Sequence, residues 1–180
     1  RTRPIFGQRW LARLPLAVRI TSPSHLENSI RYLVNHQPFC FKDPRFSYTL
    51  PVWRRLTNDA VFVCVFRNPG VVVGSIIKLS KTVPHLQDFS INTRQAFEVW
   101  ELMYSHILTN HYPQGGDWLF LHYDQFFDGS AFVKLEDKLG VKGDRDFPDP
   151  ALNRSKPYST APAQGLYLYD KLCNLADYRG

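Results

Sequence analysis

Residues 60–75, AVFVCVFRNPGVVVGS, decide the fold class of this chain. Their first part, residues 60–66, is uncharged and rich in β-branched and aromatic side chains, a pattern typical of a strand buried on both faces in a parallel sheet. The strand stops at Arg67, and Asn68-Pro69 then provides a helix start, with Asn as the N-cap and Pro at the first helical position. The sequence therefore predicts a buried strand that enters a helix through a tight turn.

The carboxyl end of this predicted strand is a candidate phosphate site. Ligands of open α/β sheets bind at this edge, and Arg67 supplies a positive charge there. A helix N-terminus also favours anions, through its free N–H groups and its dipole. Ser75 lies about two turns into the helix and adds a hydroxyl on the same side. From the residues alone, an alternative stays open: Arg67 is just the first solvated residue after the strand, with or without a carboxylate partner.

The preceding segment has a similar pattern of apolar residues followed by basic ones. Residues 39–41 are apolar and predict another strand, which ends in the sequence KDPR at residues 42–45. A helix-like segment follows at residues 48–56. Because the carboxyl ends of parallel strands meet at one edge of a sheet, we expect these basic residues at the edge that carries Arg67.

The remaining hydrophobic periodicity predicts helices and strands that alternate along the chain. This alternation is typical of an α/β protein with a parallel sheet, and a length of 180 residues fits a single domain over residues 1–180. Helices are predicted over residues 25–36, 69–82, 91–111, 131–139 and 166–178, and a further strand over residues 118–122.

The composition favours a globular protein with an anionic ligand. The net charge of +6 leaves nucleic acid, a membrane surface and a nucleotide as candidates, but no run of five basic residues marks a nucleic-acid arm. The cysteines Cys40, Cys64 and Cys173 have no metal-ligand spacing, so reduced thiols and a cytoplasmic protein are expected. No apolar run approaches the length of a transmembrane helix, about 18 residues, so no membrane span is expected.

Three segments of the chain resemble one enzyme family. They are KDPRFSYTLPVW (residues 42–53), VFRNPGVVVGS (65–75) and LFLHYDQFFDG (119–129). They resemble the bacterial and Golgi-type sulfotransferases that use 3'-phosphoadenosine 5'-phosphosulfate (PAPS). The resemblance implies a three-layer α/β/α fold around a central parallel sheet, as in P-loop NTPases. It also implies PAPS as co-substrate, no metal ion, and transfer of a sulfuryl group to a hydroxyl or amine of a small-molecule or glycan acceptor.

The resemblance also implies roles for individual residues. Arg67 and Ser75, eight residues apart, match the family's pair that binds the 3'-phosphate of the cofactor. Lys42 matches the lysine that faces the sulfate being transferred. The family commonly closes a late basic loop over the 3'-phosphate, which makes Arg154 and Lys156 further candidates for cofactor binding, with an ordinary solvated loop as the alternative.

The catalytic base and the acceptor contacts are less well defined by the sequence. Asp43 is close enough to share the cleft as a catalytic residue, although Asp before Pro is also typical of a turn residue that accepts backbone N–H bonds. Arg45 is a candidate contact for the acceptor substrate, or else the ion-pair partner of Asp43. His25, His36 and His122 have suitable intrinsic pKa values, but a lone histidine more often belongs to the surface or the core.

The glycine-rich phosphate loop of the family has no counterpart in the sequence. Neither G-x-x-x-x-G-K-[ST] nor K-x-G-T occurs, so we expect a fold that is incomplete at the N-terminus, without the first strand and the phosphate loop. Two alternatives stay open. One is a nucleotide or small-molecule kinase of similar fold, against which the lack of a Walker A sequence argues. The other is a non-catalytic basic α/β module that binds RNA or a polyanion, for which the basic residues are too scattered.

Overall fold

The structure, a computed structural model, describes residues 11–57, 59–82, 90–153 and 156–180. Its contacts divide the chain into two compact units. The single domain predicted over residues 1–180 stays a prediction. The first unit consists of Arg1–Ala60 and Glu101–Gly115, and the second unit of Val61–Trp100 and Gly116–Gly180.

The helices and strands follow the predicted order, with shifts of up to three residues at their ends, and the helix predicted to reach residue 111 ends as a π-helical turn, His106–His111. The strand predicted at residues 39–41 is the exception. In chain order the elements are α1 (Ser24–Val34), α2 (Phe46–Arg54), β1 (Val61–Phe66), α3 (Pro69–Thr82), α4 (Thr93–Ser105), β2 (Asp117–His122), α5 (Ser130–Leu139) and α6 (Ala163–Leu175).

The apolar segment before the KDPR sequence is not a strand. Residues 39–43 form no ladder with any residue that the structure describes, so the strand predicted at residues 39–41 is wrong. The rings of Phe39 and Phe41 stack with 5.4 Å between centroids, and Phe41 also packs against Trp53 of α2 at 5.3 Å. An apolar run becomes a strand only where a neighbouring strand takes up its backbone hydrogen bonds. Here the rings of the run make contacts within the first unit instead, and Phe41 stays 38% exposed.

The second unit contains a parallel sheet of two strands in its described part. β1 pairs with β2 in a register that places Val61 opposite Asp117 and Phe66 opposite His122. The chain leaves β1 through α3 and returns to β2 after α4, as parallel pairing requires. The prediction of an α/β protein with a parallel sheet is therefore confirmed.

The described residues cover β1 on one face. The side chains of Cys64 and Phe66 are 5% and 1% exposed, whereas Val63 and Val65 on the opposite face are 41% and 45% exposed. The expectation of a strand buried on both faces is therefore wrong for the described structure. An uncharged run predicts a strand, but elements distant in sequence decide how many of its faces are covered.

Aromatic contacts fix the carboxyl ends of both strands against α6. The Phe66 ring lies 5.1 Å from the His122 ring and 6.1 Å from that of Tyr169 on α6, and His122 lies 5.8 Å from Tyr169. Phe66 and His122 are both 1% exposed. The residues that directly follow them, Arg67 and Tyr123, are thus attached to a packed support.

Candidate functional site

α3 begins as its sequence predicts, with Asn68 as the N-cap. The Oδ1 atom of Asn68 accepts hydrogen bonds from the backbone N–H groups of Gly70 at 2.9 Å and Val71 at 3.4 Å. Pro69, at the first helical position, has no N–H group. The expectation of free N–H groups at this helix N-terminus is therefore wrong, because the cap already occupies them. An anion bound here would depend on the charge of Arg67 and on the helix dipole.

The Arg67 side chain lies at the ends of β1 and β2, held by two uncharged partners. Since Phe66 and His122 are opposite each other, the next residues, Arg67 and Tyr123, are neighbours, and the guanidinium carbon lies 4.4 Å from the centroid of the Tyr123 ring. Its Nη2 atom donates a hydrogen bond to Oδ1 of Asn153. Among the described residues no carboxylate forms an ion pair with Arg67. A carboxylate partner of Arg67 is thus not found among the described residues, and a solvated arginine at the strand end stays the alternative to an anion site.

Asp124, the acidic residue next to Tyr123 in the sequence, has partners other than Arg67. Its Oδ2 atom accepts a hydrogen bond from the Tyr178 hydroxyl at 3.2 Å and lies 3.7 Å from Nδ1 of His122. These contacts raise the cost of turning the carboxylate toward Arg67. The positive charge of Arg67 therefore stays uncompensated by any described carboxylate in contact with it.

The late polar loop packs directly on the first turns of α3. The backbone N–H of Tyr158 donates to the Gly70 carbonyl oxygen at 3.1 Å. A Cβ atom on Gly70 would lie 2.4 Å from the Ser159 carbonyl oxygen, and one on Gly74 would lie 3.3 Å from that of Lys156. Gly70 thus needs to be glycine for the loop to approach, which is the role that this residue has at close backbone contacts, whereas the fit at Gly74 is tight without requiring glycine.

A cavity of about 320 Å³ opens at the start of α3. Its volume lies at the lower end of the range for small-molecule pockets, which is about 300 to 1,000 Å³. The N-cap and the late loop thus border a space of the size of a small ligand group. The lining residues are Asn68, Pro69, Pro157, Ser159, Thr160, Ala161 and Leu166.

A buried histidine network holds the turn that carries Tyr123. His122 Nδ1 accepts a hydrogen bond from the Asp124 backbone N–H at 3.1 Å, so its Nε2 carries the proton and donates to the Tyr169 hydroxyl at 3.0 Å. The Gln125 side chain accepts from the His122 backbone N–H at 2.8 Å, completing a reciprocal cap. Burial lowers the pKa of His122, and Arg67 lowers it further while Asp124 opposes the shift. His122 is therefore a neutral structural residue, not an accessible base.

In the first unit, Asp43 and Arg45 of the KDPR sequence form an ion pair with each other. Asp43 Oδ1 accepts from the backbone N–H and from Nε of Arg45, both at 2.8 Å, and Oδ2 accepts from the same guanidinium. The turn role and the ion pair that the sequence offered as alternatives are thus both present. The Arg45 hydrogen bonds lower the pKa of Asp43, which makes its carboxylate a poor proton acceptor. The Lys42 side chain is exposed.

Three of the residues predicted to bind the cofactor, Arg67, Ser75 and Lys156, belong to the second unit. Ser75 lies half-buried on α3, directly after Gly74, beside which the backbone of Lys156 passes. Arg154 lies outside the described residues. Tyr123 and Asn153 were not among the predicted site residues. For Tyr123 the available signal was its position one residue after the strand predicted at residues 118–122.

Two further properties of the described residues bear on function. None of their groups of histidine, cysteine, aspartate and glutamate side chains could hold a metal ion. No helix within the described ranges is both long and apolar enough to cross a membrane.

Comparisons of the chain with protein families, with curated proteins and with solved structures found no match.

Proposed function

We propose that this chain is a PAPS-dependent sulfotransferase and that its second unit binds the 3'-phosphate of the nucleotide through Arg67 and Ser75. The observation that carries the proposal is the Arg67 guanidinium, which lies at the carboxyl ends of two parallel strands without a carboxylate partner among the described residues. A three-layer α/β/α arrangement around the parallel sheet belongs to the same proposal.

The chemistry of a phosphate ester suits the guanidinium of Arg67. A guanidinium offers several N–H donors in one plane, and its hydrogen bonds to phosphate are charge-assisted. In this proposal Ser75 of α3 adds a hydroxyl, and Lys156, whose backbone passes beside Gly74 of the same helix, adds a positive charge. The dipole of α3, a helix of 14 residues, favours a negative charge at its start.

The transfer step needs cations more than it needs acid–base groups. Sulfuryl transfer resembles phosphoryl transfer, in which an in-line displacement with a loose transition state is stabilised by positioned positive charges. PAPS supplies the activated sulfuryl group, and Lys42 is the residue that we propose for stabilising its negative charge, on the resemblance of the KDPR segment. The acceptor is a hydroxyl or amine on a small molecule or glycan. Asp43 is a poor candidate for the base because Arg45 lowers its pKa.

Nucleotide binding tests the proposal directly. Calorimetry should show that the protein binds adenosine 3',5'-bisphosphate more tightly than adenosine 5'-monophosphate, because only the former carries the 3'-phosphate. Arg67→Ala should remove most of this preference, a loss of about tenfold or more for one charge-assisted contact. Arg145→Ala is the matched control, since Arg145 belongs to the same unit but is paired with Glu136 at 2.7 Å. Equal affinity of the unaltered protein for the two nucleotides would contradict the proposal.

A further inference from the structure

Neither partner of Arg67 carries a charge, whereas Arg45, Arg55 and Arg145 are each paired with a carboxylate. We propose that Tyr123 and Asn153 are positioning residues, which hold the Arg67 guanidinium through uncharged contacts and so keep its positive charge available to a phosphate dianion. The inference rests on the proposed function, since it concerns the same anion site.

Tyr123 fixes the position of the guanidinium plane. The contact of 4.4 Å between the guanidinium carbon and the ring centroid is a cation–π contact, which attracts the cation without neutralising it. The ring is itself held, because Tyr123 begins the 3₁₀ turn that His122 and Gln125 cap, and because it packs edge-on against Phe127 at 5.3 Å. A long side chain that is ordered before a ligand arrives loses less conformational entropy on binding.

Asn153 fixes one N–H group of the guanidinium, and no other hydrogen bond to the guanidinium is found within the part of the chain that the structure describes. Its Oδ1 accepts from Nη2, which uses one of the five N–H donors of an arginine. An amide oxygen forms this bond without forming an ion pair. A carboxylate at the same place would form a stronger bond, between two opposite charges, and would have to be displaced, or would repel the ligand, whenever a phosphate binds.

Because an amide and a carboxylate differ in this way, Asn153→Asp should weaken nucleotide binding without lowering the stability of the protein. The variant should keep or increase the stability of the protein, because the Arg67 contact becomes an ion pair. It should nevertheless bind adenosine 3',5'-bisphosphate about tenfold or more weakly, because the new charge neutralises the guanidinium. A purely structural role of Asn153 predicts the same sign for both changes. Asn174→Asp, which adds an equal charge at an exposed position of α6, is the control for net charge.

Substitutions of Tyr123 test the other contact. Tyr123→Leu should weaken binding of the bisphosphate by about two- to tenfold through loss of the cation–π contact, while Tyr123→Phe should bind nearly as the unaltered protein does. The matched control is Tyr167→Leu, which removes another contact of this kind, between Tyr167 and the ammonium of Lys171 at 4.5 Å. The NMR signal of the Arg67 Nε–H group reports ordering without any ligand, and it should broaden in Tyr123→Leu alone.

The outcomes separate the inference from the function on which it rests. Equal affinity of the unaltered protein for the bisphosphate and adenosine 5'-monophosphate overturns both. A preference for the bisphosphate that Arg67→Ala removes, but that Asn153→Asp and Tyr123→Leu leave intact, supports the proposed function and overturns the positioning role. Weaker binding in Asn153→Asp with undiminished stability, together with the graded Tyr123 series, supports both.

Discussion

Arg45 and Arg67 lie at the starts of two helices, α2 and α3, and both were candidates for ligand contacts. Arg45 donates to Asp43 through its backbone N–H and its guanidinium, so the carboxylate two residues before Arg45 neutralises its charge. Arg67 instead contacts an amide oxygen and the face of a tyrosine ring. Position at a helix start is therefore not enough to identify an anion site, because the charge of the arginine's partner decides whether its own charge is available.

The pKa shifts around the two arginines agree with this difference. Arg45 lowers the pKa of Asp43, chiefly through their side-chain hydrogen bond, and Asp43 in turn raises the pKa of Arg45. Arg67 has no such partner among the described residues, and its charge contributes to lowering the pKa of His122. The positive charge of Arg67 thus affects a neighbouring titratable group, the imidazole of His122.

The largest expected effect tests whether the KDPR segment contributes a cation to catalysis despite its neutralised arginine. Lys42→Ala should lower sulfuryl transfer by about a hundredfold to a thousandfold, the usual loss for one preorganised electrostatic contact in a transition state. Binding of adenosine 3',5'-bisphosphate should change little, since the bisphosphate lacks the transferred group. Steady-state kinetics and calorimetry measure the two quantities.

Lys42→Arg is the conservative control for this prediction. It should restore turnover only in part, because a planar guanidinium does not take the place of a compact ammonium on a flexible stem. Turnover of Lys42→Ala close to that of the unaltered protein would show that Lys42 is an ordinary exposed lysine.

An effect of intermediate size concerns the stability of the protein at acidic pH, to which His122, close to Arg67, contributes. Burial holds the folded-state pKa of His122 below its ordinary value of 6.5, so the unfolded chain binds the proton more tightly. The resulting stability is fully present above this ordinary value and is lost as the pH falls through the folded-state pKa. In the variant His122→Phe, the free energy of unfolding should therefore fall less steeply as the pH is lowered from about 7.5 to about 5.5. Urea titrations measure this slope.

Arg67→Ala sharpens the same measurement. Removing the positive charge should raise the pKa of His122 and make the loss of stability on acidification shallower, although burial still depresses that pKa. Part of the slope should persist in every variant, because burial also lowers the pKa of His111 in the first unit. Identical slopes in His122→Phe and the unaltered protein would exclude His122 as a contributor.

The smallest expected effect concerns the neutralised arginine. Arg45→Ala should reduce the free energy of unfolding by at most about 1 kcal/mol, since exposed ion pairs contribute little. The preference for adenosine 3',5'-bisphosphate should not change. Arg55→Ala, which removes a similarly exposed pair with Glu27, should have a comparable effect in denaturant titrations. A loss of nucleotide preference in Arg45→Ala would remove the distinction between the two arginines.

The elements that the sequence predicted well are those with local signals. The turn from β1 into α3 depends on an apolar run, an N-cap and a proline within a few residues, and the structure has it as predicted. Residues 39–41 carry an equally apolar run, but whether it becomes a strand depends on a distant partner that the run does not contain. The same limit applies to Val63, whose exposure depends on what covers the sheet.

By itself, the sequence determined the parallel α/β class, the position of Arg67 at the end of a strand, and the cap at Asn68, because each follows from side chains a few residues apart. Only the tertiary structure decided the partners of Arg67, since the pairing register brings Tyr123 beside it and the late loop brings Asn153 from 86 residues away. It also turned Asp124 toward His122 and Tyr178. Charge compensation is a property of side chains in contact, and contacts between distant residues are set by the packing of the whole unit.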